Sequence, residues 1–262
     1  CIRSSSVPDS FCISAVSRFA VKKHFSGRGL GAITSTIVHR CDGGCERCPY
    51  QWWRMSSRRV LDEKGLSVDA RSLAAMDQDM ARILGELGSP PLWAREPGFP
   101  TLLKIILEQQ VSLSSAAVMY ERLQDHINPL THTTILEAGV PFLRSFGITR
   151  QKASYFINVG EAISSGDLAL EDLYRLDDVA VIEKLTSIKG IGPWTARIYL
   201  LMARRRPDVW PVGDIALATA YKNLKGLDAR PGQPELEEIA CAWLPYRATA
   251  ARMLWHYYLN GM

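Results

Sequence analysis

The stretch Ile188-Lys189-Gly190-Ile191-Gly192-Pro193-Trp194-Thr195-Ala196 constrains this 262-residue chain more than any other. Val179, Ile182, Leu185 and Ile188 recur at helical spacing before it, and Ala196, Tyr199, Leu200 and Ala203 do so after it. Two helices therefore meet at a Gly-Ile-Gly corner, a helix-hairpin-helix. Gly190 and Gly192 allow a tight backbone turn with positive φ, and Pro193 is pre-set for the first turn of the second helix. Unpaired amides and the positive end of the helix dipole face outward there, a place for a phosphate, and neither glycine carries a side chain to block it. The same residues would also serve as an ordinary turn between helices.

Downstream, Trp210-Pro211-Val212-Gly213-Asp214 leads into an apolar helix expected over residues 215–224. Asp is a favoured N-cap, so Asp214 has a structural role available. A cap and a catalytic carboxylate are compatible, and the hairpin followed by such an Asp is much rarer than either part alone.

Two more segments complete a pattern: Ile106-Leu107-Glu108-Gln109-Gln110-Val111-Ser112, and Pro245-Tyr246-Arg247 leading to Trp255. With these, residues 66–262 resemble the helix-hairpin-helix DNA glycosylases, most closely the 3-methyladenine DNA glycosylase II branch. The resemblance implies an enzyme that flips a damaged base out of duplex DNA and hydrolyses its N-glycosidic bond, leaving an abasic site. Gly190, Ile191, Gly192 and Thr195 would hold the DNA backbone, and a side chain at Gln109 or Gln110 would fill the gap left in the stack. Those two glutamines also read as the polar end of a buried helix. Breaking a glycosidic bond builds positive charge on the sugar, and one ionised carboxylate in a dry pocket stabilises it or orients the water, which makes Asp214 the candidate catalytic residue.

Position 194 refines this. Relatives that also cut the strand carry a lysine here, an amine nucleophile; this chain has Trp194, so a monofunctional enzyme is expected. Trp194 and Trp255 are the candidate walls of the base pocket, where a cationic alkylated purine gains cation–π attraction. Trp255 equally fits a core position on a helix expected over 243–259. Two other functions stay open: a non-catalytic module that only holds DNA, and a glycosylase for oxidised or deaminated bases.

Composition fits this reading. At 47% hydrophobic, 262 residues bury a sizeable core, and Pro and Gly breaks separate helical runs without β-like alternation, so an all-α fold is expected. A first helix over 72–87 would join residues 207–262 as a discontinuous domain (66–88 and 207–262) carrying Asp214. Residues 89–206 would form a central helical domain ending in the hairpin, with breaks near Asn128-Pro129, Gly147 and Gly166, and the DNA cleft between the two domains. No stretch is long and apolar enough to span a membrane. An intracellular monomer acting on damaged double-stranded DNA is expected, cytoplasmic and nucleoid-associated in a bacterium or nuclear in a eukaryote.

Charge is unevenly spread. Residues 1–65 carry 11 Lys/Arg against 5 Asp/Glu, a net +6, whereas residues 66–262 carry 20 against 22, a net −2. The body is not globally basic, so phosphate contacts would come from a local face: the hairpin amides, Lys189, Arg197 and the run Arg204-Arg205-Arg206. That run also reads as a solvated helix end before Pro207. Residues 1–65 form a basic, poorly patterned extension holding His39, Cys41, Cys45 and Cys48, a spacing compatible with zinc or, in radical enzymes, a cubane cluster. The helical context that follows suits neither well, and Cys241 is alone near the C-terminus, where some relatives hold an iron–sulfur cluster. Neither a metal nor a cofactor is expected.

Overall fold

The computed structural model describes residues 59–261, and among them there is no strand. Eleven α-helices follow one another: α1 (Glu63–Met76), α2 (Gln78–Leu87), α3 (Phe99–Glu108), α4 (Leu113–His126), α5 (His132–Arg144), α6 (Arg150–Ser164), α7 (Asp178–Thr186), α8 (Pro193–Ile198), α9 (Ile215–Lys225), α10 (Gln233–Ala240) and α11 (Arg247–Leu259). A π-helical turn, Tyr199–Ala203, prolongs α8. The N-terminal quartet of His39 and three cysteines, and residues 1–58 generally, lie outside the described residues.

Packing sorts the helices into two groups around one continuous core. In the first, α3 lies against α4, α6 and α8, α5 against α6, and α7 against α8. In the second, α11 lies against α1, α2 and α9. Ile106, Phe156 and Leu200 from the first group and Ile83, Leu217 and Leu254 from the second belong to the same buried cluster. The chain before α3 therefore returns to pack with the chain after α8.

Backbone ties join the groups. Arg252 of α11 is fully buried, with the Glu63 carboxylate acting on its charge and its guanidinium bonded to the backbone. Its Nε donates to the Leu92 carbonyl at 2.9 Å, Nη1 to Ala248 at 3.0 Å and Nη2 to Leu201 at 2.7 Å. Desolvation pushes its pKa down to about 9, so the group stays charged at neutral pH. One side chain therefore grips three backbone carbonyls, and the segment around Leu92 is fixed to α11 and to the turn after α8.

Three expectations need correcting. The helix over 72–87 is two helices, because Asp77 ends α1 and caps α2: its Oδ1 accepts the Asp79 and Met80 amides at 2.8 and 3.2 Å, and its Oδ2 accepts Trp243 Nε1 at 3.0 Å. The helix over 243–259 begins at Arg247, after a 3-10 turn, Cys241–Trp243. Residues 59–65 join the folded body rather than an extension: Leu61 is buried, its amide bonds to the Arg205 carbonyl at 2.8 Å, and α1 starts at Glu63.

Candidate active site

Asp214 caps α9, with Oδ1 accepting the Leu217 amide at 3.0 Å. Capping does not distinguish it, since Asp62, Asp77, Ser112, Thr131, Thr149 and Asp177 cap other helices in the same way. What sets it apart is a pair of indoles. Trp194 Nε1 donates to Oδ2 at 3.0 Å and Trp255 Nε1 to Oδ1 at 3.3 Å, one from each helix group. The residue is 3% exposed. Burial pushes its carboxyl up from the usual carboxylate value, and the Trp194 indole, the Leu217 amide and the Trp255 indole pull the other way.

The carboxylate lies on the wall of a pocket of about 310 Å³. Three tryptophans line it: Trp194, Trp255 and Trp93. Trp255 is both things the sequence allowed, a buried core residue and a pocket wall, with its ring edge-on to Trp93 at 6.2 Å. Trp93 escaped the sequence reading. It has φ +47°, a left-handed conformation unusual for a bulky residue, within an irregular strap between α2 and α3. That strap is tied at several points: Arg252 holds the Leu92 carbonyl, the Arg95 amide bonds to the Met202 carbonyl at 3.0 Å, and the Gly98 amide to Tyr199 Oη at 3.2 Å. Such anchoring is what a strained backbone residue requires to persist.

The hairpin between α7 and α8 departs from expectation in an instructive way. Gly190 has φ +110°, and a Cβ there would sit 2.3 Å from Tyr155 Cγ, so this glycine answers to the interior. Gly192 has φ −90°, correcting the expectation that both would be left-handed, and nothing lies within 4 Å of a Cβ placed on it. Its open face leaves the corner bare. Gln109 is half-buried, and its Nε2 donates to the Gly190 carbonyl at 3.0 Å and to Thr195 Oγ1 at 2.9 Å. Thr195 is buried, so its hydroxyl serves this internal contact and not an outer one. Ile191 is buried as well. Gln110, by contrast, is exposed with φ +57°.

The basic residues also redistribute. Lys189 is exposed at the corner, with its carbonyl accepting Asn158 Nδ2 at 2.9 Å. Arg197 is buried. Of the Arg run, Arg204 is buried with its guanidinium 3.7 Å from the Tyr174 ring centre, and Arg206 is buried 2.9 Å from Asp178. Neither is a solvated helix end or a surface clamp.

Residues 103–245 match the family model described as HhH-GPD superfamily base excision DNA repair protein. The chain belongs to the HhH-GPD superfamily. Among relatives of this HhH-GPD protein, YfjP of Bacillus subtilis is 30% identical over 67% of this chain, and the match spans 64% of YfjP, less than two thirds of its length. DNA-3-methyladenine glycosylase 1 of Schizosaccharomyces pombe is 27% identical over 70% of this chain and 83% of its own. The solved structure of S. pombe 3-methyladenine DNA glycosylase (Mag1) in complex with abasic DNA superposes with a TM-score of 0.69 at 26% identity, covering 72% of this chain and 95% of that one.

In this HhH-GPD protein the hairpin, Asp214, Trp194 and Trp255 come together from segments far apart in the chain. Gln109 joins them through its bonds to the hairpin. Trp93, Arg95 and Glu108 line the same pocket without having been singled out in the sequence. No helix among the described residues is long and apolar enough to cross a membrane.

Proposed function

We propose that this protein is a monofunctional DNA glycosylase that accepts an alkylated purine flipped from duplex DNA and hydrolyses its N-glycosidic bond in base excision repair. The observation that carries this is the buried Asp214 carboxylate, held by two indole N–H groups on the wall of a tryptophan-lined pocket. The names of the relatives, 3-methyladenine glycosylases among them, agree with it.

The chemistry follows from the residues. As the bond from deoxyribose C1′ to the base breaks, the base leaves with the electron pair and the sugar becomes oxocarbenium-like. Asp214 faces that charge from a site where water does not screen it, which strengthens the attraction. Water then adds to C1′ and loses its proton, leaving an abasic site. Trp194 and Trp255, with their N–H edges turned to Asp214, give their ring faces to the base, and a cationic alkylated purine binds an indole face better than a neutral one. Lys189 and the bare corner at Gly192 contact phosphate. With Gln109 committed to the hairpin, Gln110 is the residue that fills the vacated stack. The protein acts as a monomer in the compartment that holds the DNA.

A panel of duplexes, each carrying one modified base and scored for abasic-site formation, tests this reading; release of 7-methylguanine or 3-methyladenine is the expected result, and no base released from any duplex overturns it. A second expectation concerns the missing lysine. Because Trp194 stands where a strand-cutting relative carries an amine, borohydride should trap no enzyme–DNA adduct, and strand breaks should appear only after alkali. A trapped adduct would make the enzyme bifunctional through another amine, Lys189 first.

A further inference from the structure

Beyond Asp214 and the indole walls, the pocket presents one polar spot that the glycosylase reading leaves unused. Arg95 and Glu108 both line it. Arg95 Nη1 donates to Glu108 Oε2 and Nη2 to Oε1, each at 2.8 Å, a fork-to-fork pair. Their side chains are only 19% and 6% exposed. The other charged lining residues are engaged elsewhere: Lys104 Nζ sits 5.2 Å from the centre of the Tyr120 ring, and Asp214 already accepts three N–H groups.

A buried ion pair is a poor source of stability, because desolvation offsets most of the attraction and apolar residues of similar volume often serve a fold as well. This one is also placed with care. Arg95 sits on the anchored strap two residues after Trp93, and Glu108 ends α3 immediately before Gln109. Pairing in fork geometry leaves further lone pairs on Glu108 and further N–H groups on Arg95. The spot therefore offers an acceptor beside a donor in a wall that, apart from Lys104 and Asp214, is apolar side chains and indoles, the arrangement by which pockets fix a ligand's orientation.

We propose that the Arg95–Glu108 pair reads the hydrogen-bonding edge of the flipped base and restricts the pocket to purines that set a donor beside an acceptor. Adenine, guanine and hypoxanthine derivatives with a free edge qualify; 1,N6-ethenoadenine, whose extra ring removes the donor, does not. The inference rests on the glycosylase reading. Stacking walls accept any purine ring and discriminate weakly, whereas a site built to hydrogen-bond rejects a base that leaves its buried polar groups unpaired.

Single-turnover excision is measured on three duplexes that differ only in one base: 7-methylguanine, hypoxanthine and 1,N6-ethenoadenine. The last two are both neutral, so their ratio isolates hydrogen bonding from charge. The wild type is expected to favour hypoxanthine over ethenoadenine by at least about ten-fold. Glu108→Gln should lower that ratio by about ten-fold. The double variant Arg95→Met with Glu108→Leu, which leaves no unpaired buried charge, should lower it as far and keeps the test available if the single variant fails to fold. A wild type that removes both neutral bases equally fast, or a ratio unmoved in either folded variant, overturns this proposal alone. A wild type that excises none of the three overturns the glycosylase reading and this proposal with it.

Discussion

Asp214→Asn is expected to slow base excision by at least about a thousand-fold, roughly 4 kcal/mol in the barrier, while lesion-containing DNA still binds. Asn keeps an oxygen for the Leu217 amide, so α9 stays capped. Its amide nitrogen then meets the Trp194 N–H, donor against donor, a loss of about 1–2 kcal/mol set against relief from burying a charge. What the variant removes outright is the negative charge facing the sugar. Single-turnover excision beside a binding titration on the same duplex separates the two effects, and near-normal excision would remove Asp214 from the mechanism.

The same residue sets a pH dependence. Because burial raises the Asp214 pKa, the excision rate should fall on the acid side at a pH above the ordinary Asp range, and that limb should be absent in Asp214→Asn. Stability runs the opposite way. A raised folded-state pKa means the contribution is present while the group is protonated and is lost as pH rises through that pKa. The melting temperature of the wild type, relative to Asp214→Asn, should therefore decline as pH climbs from about 4 towards neutrality. Activity and stability ask for different protonation states of one carboxyl.

The second large effect separates two glycines that look alike in sequence. Gly190→Ala would drive a Cβ into the Tyr155 ring at 2.3 Å in a backbone conformation that disfavours any side chain, and should cost about 3–5 kcal/mol of stability. Gly192→Ala meets nothing within 4 Å at φ −90°, so the fold should lose under about 1 kcal/mol. If the bare corner is where a phosphate approaches, that added methyl should still weaken DNA binding by about ten-fold through lost close contact. Thermal melts and DNA titrations at one fixed salt concentration check both. Full affinity in a folded Gly192→Ala would end the assignment of this corner to the DNA backbone.

Sequence alone made the helical fold and the hairpin legible, because helical periodicity and short-range turn chemistry are written in neighbouring residues; it offered Trp194 and Trp255 as pocket walls, but not their bonds to Asp214. The rest depended on contacts across the chain. The break at Asp77 was hidden because Leu73 and Met80 continue one apolar stripe, while the partner that favours it, Trp243, lies 166 positions away. Trp93 and Arg95 sit in an irregular strap with no period, so only folding shows that they face Glu108 and Asp214. Arg204 and Arg206 looked like solvent-facing cations beside Pro207 until Tyr174 and Asp178 were seen to cover them. The two hairpin glycines were expected to share one reason, and the structure supplies a reason for Gly190 alone.

Arg252 and the anchored strap carry a consequence for encounter with DNA. With its guanidinium locking three carbonyls across the two helix groups, and with Asp214 gripped by three donors, the receptacle is finished before any base arrives. On the glycosylase reading, distortion then falls on the duplex and not on the protein. How readily a nucleotide swings out, set by its own pairing and by the neighbours it stacks on, becomes part of what is recognised. A rigid mould of this kind interrogates the mechanical weakness of DNA around a lesion as well as the chemistry of the lesion itself.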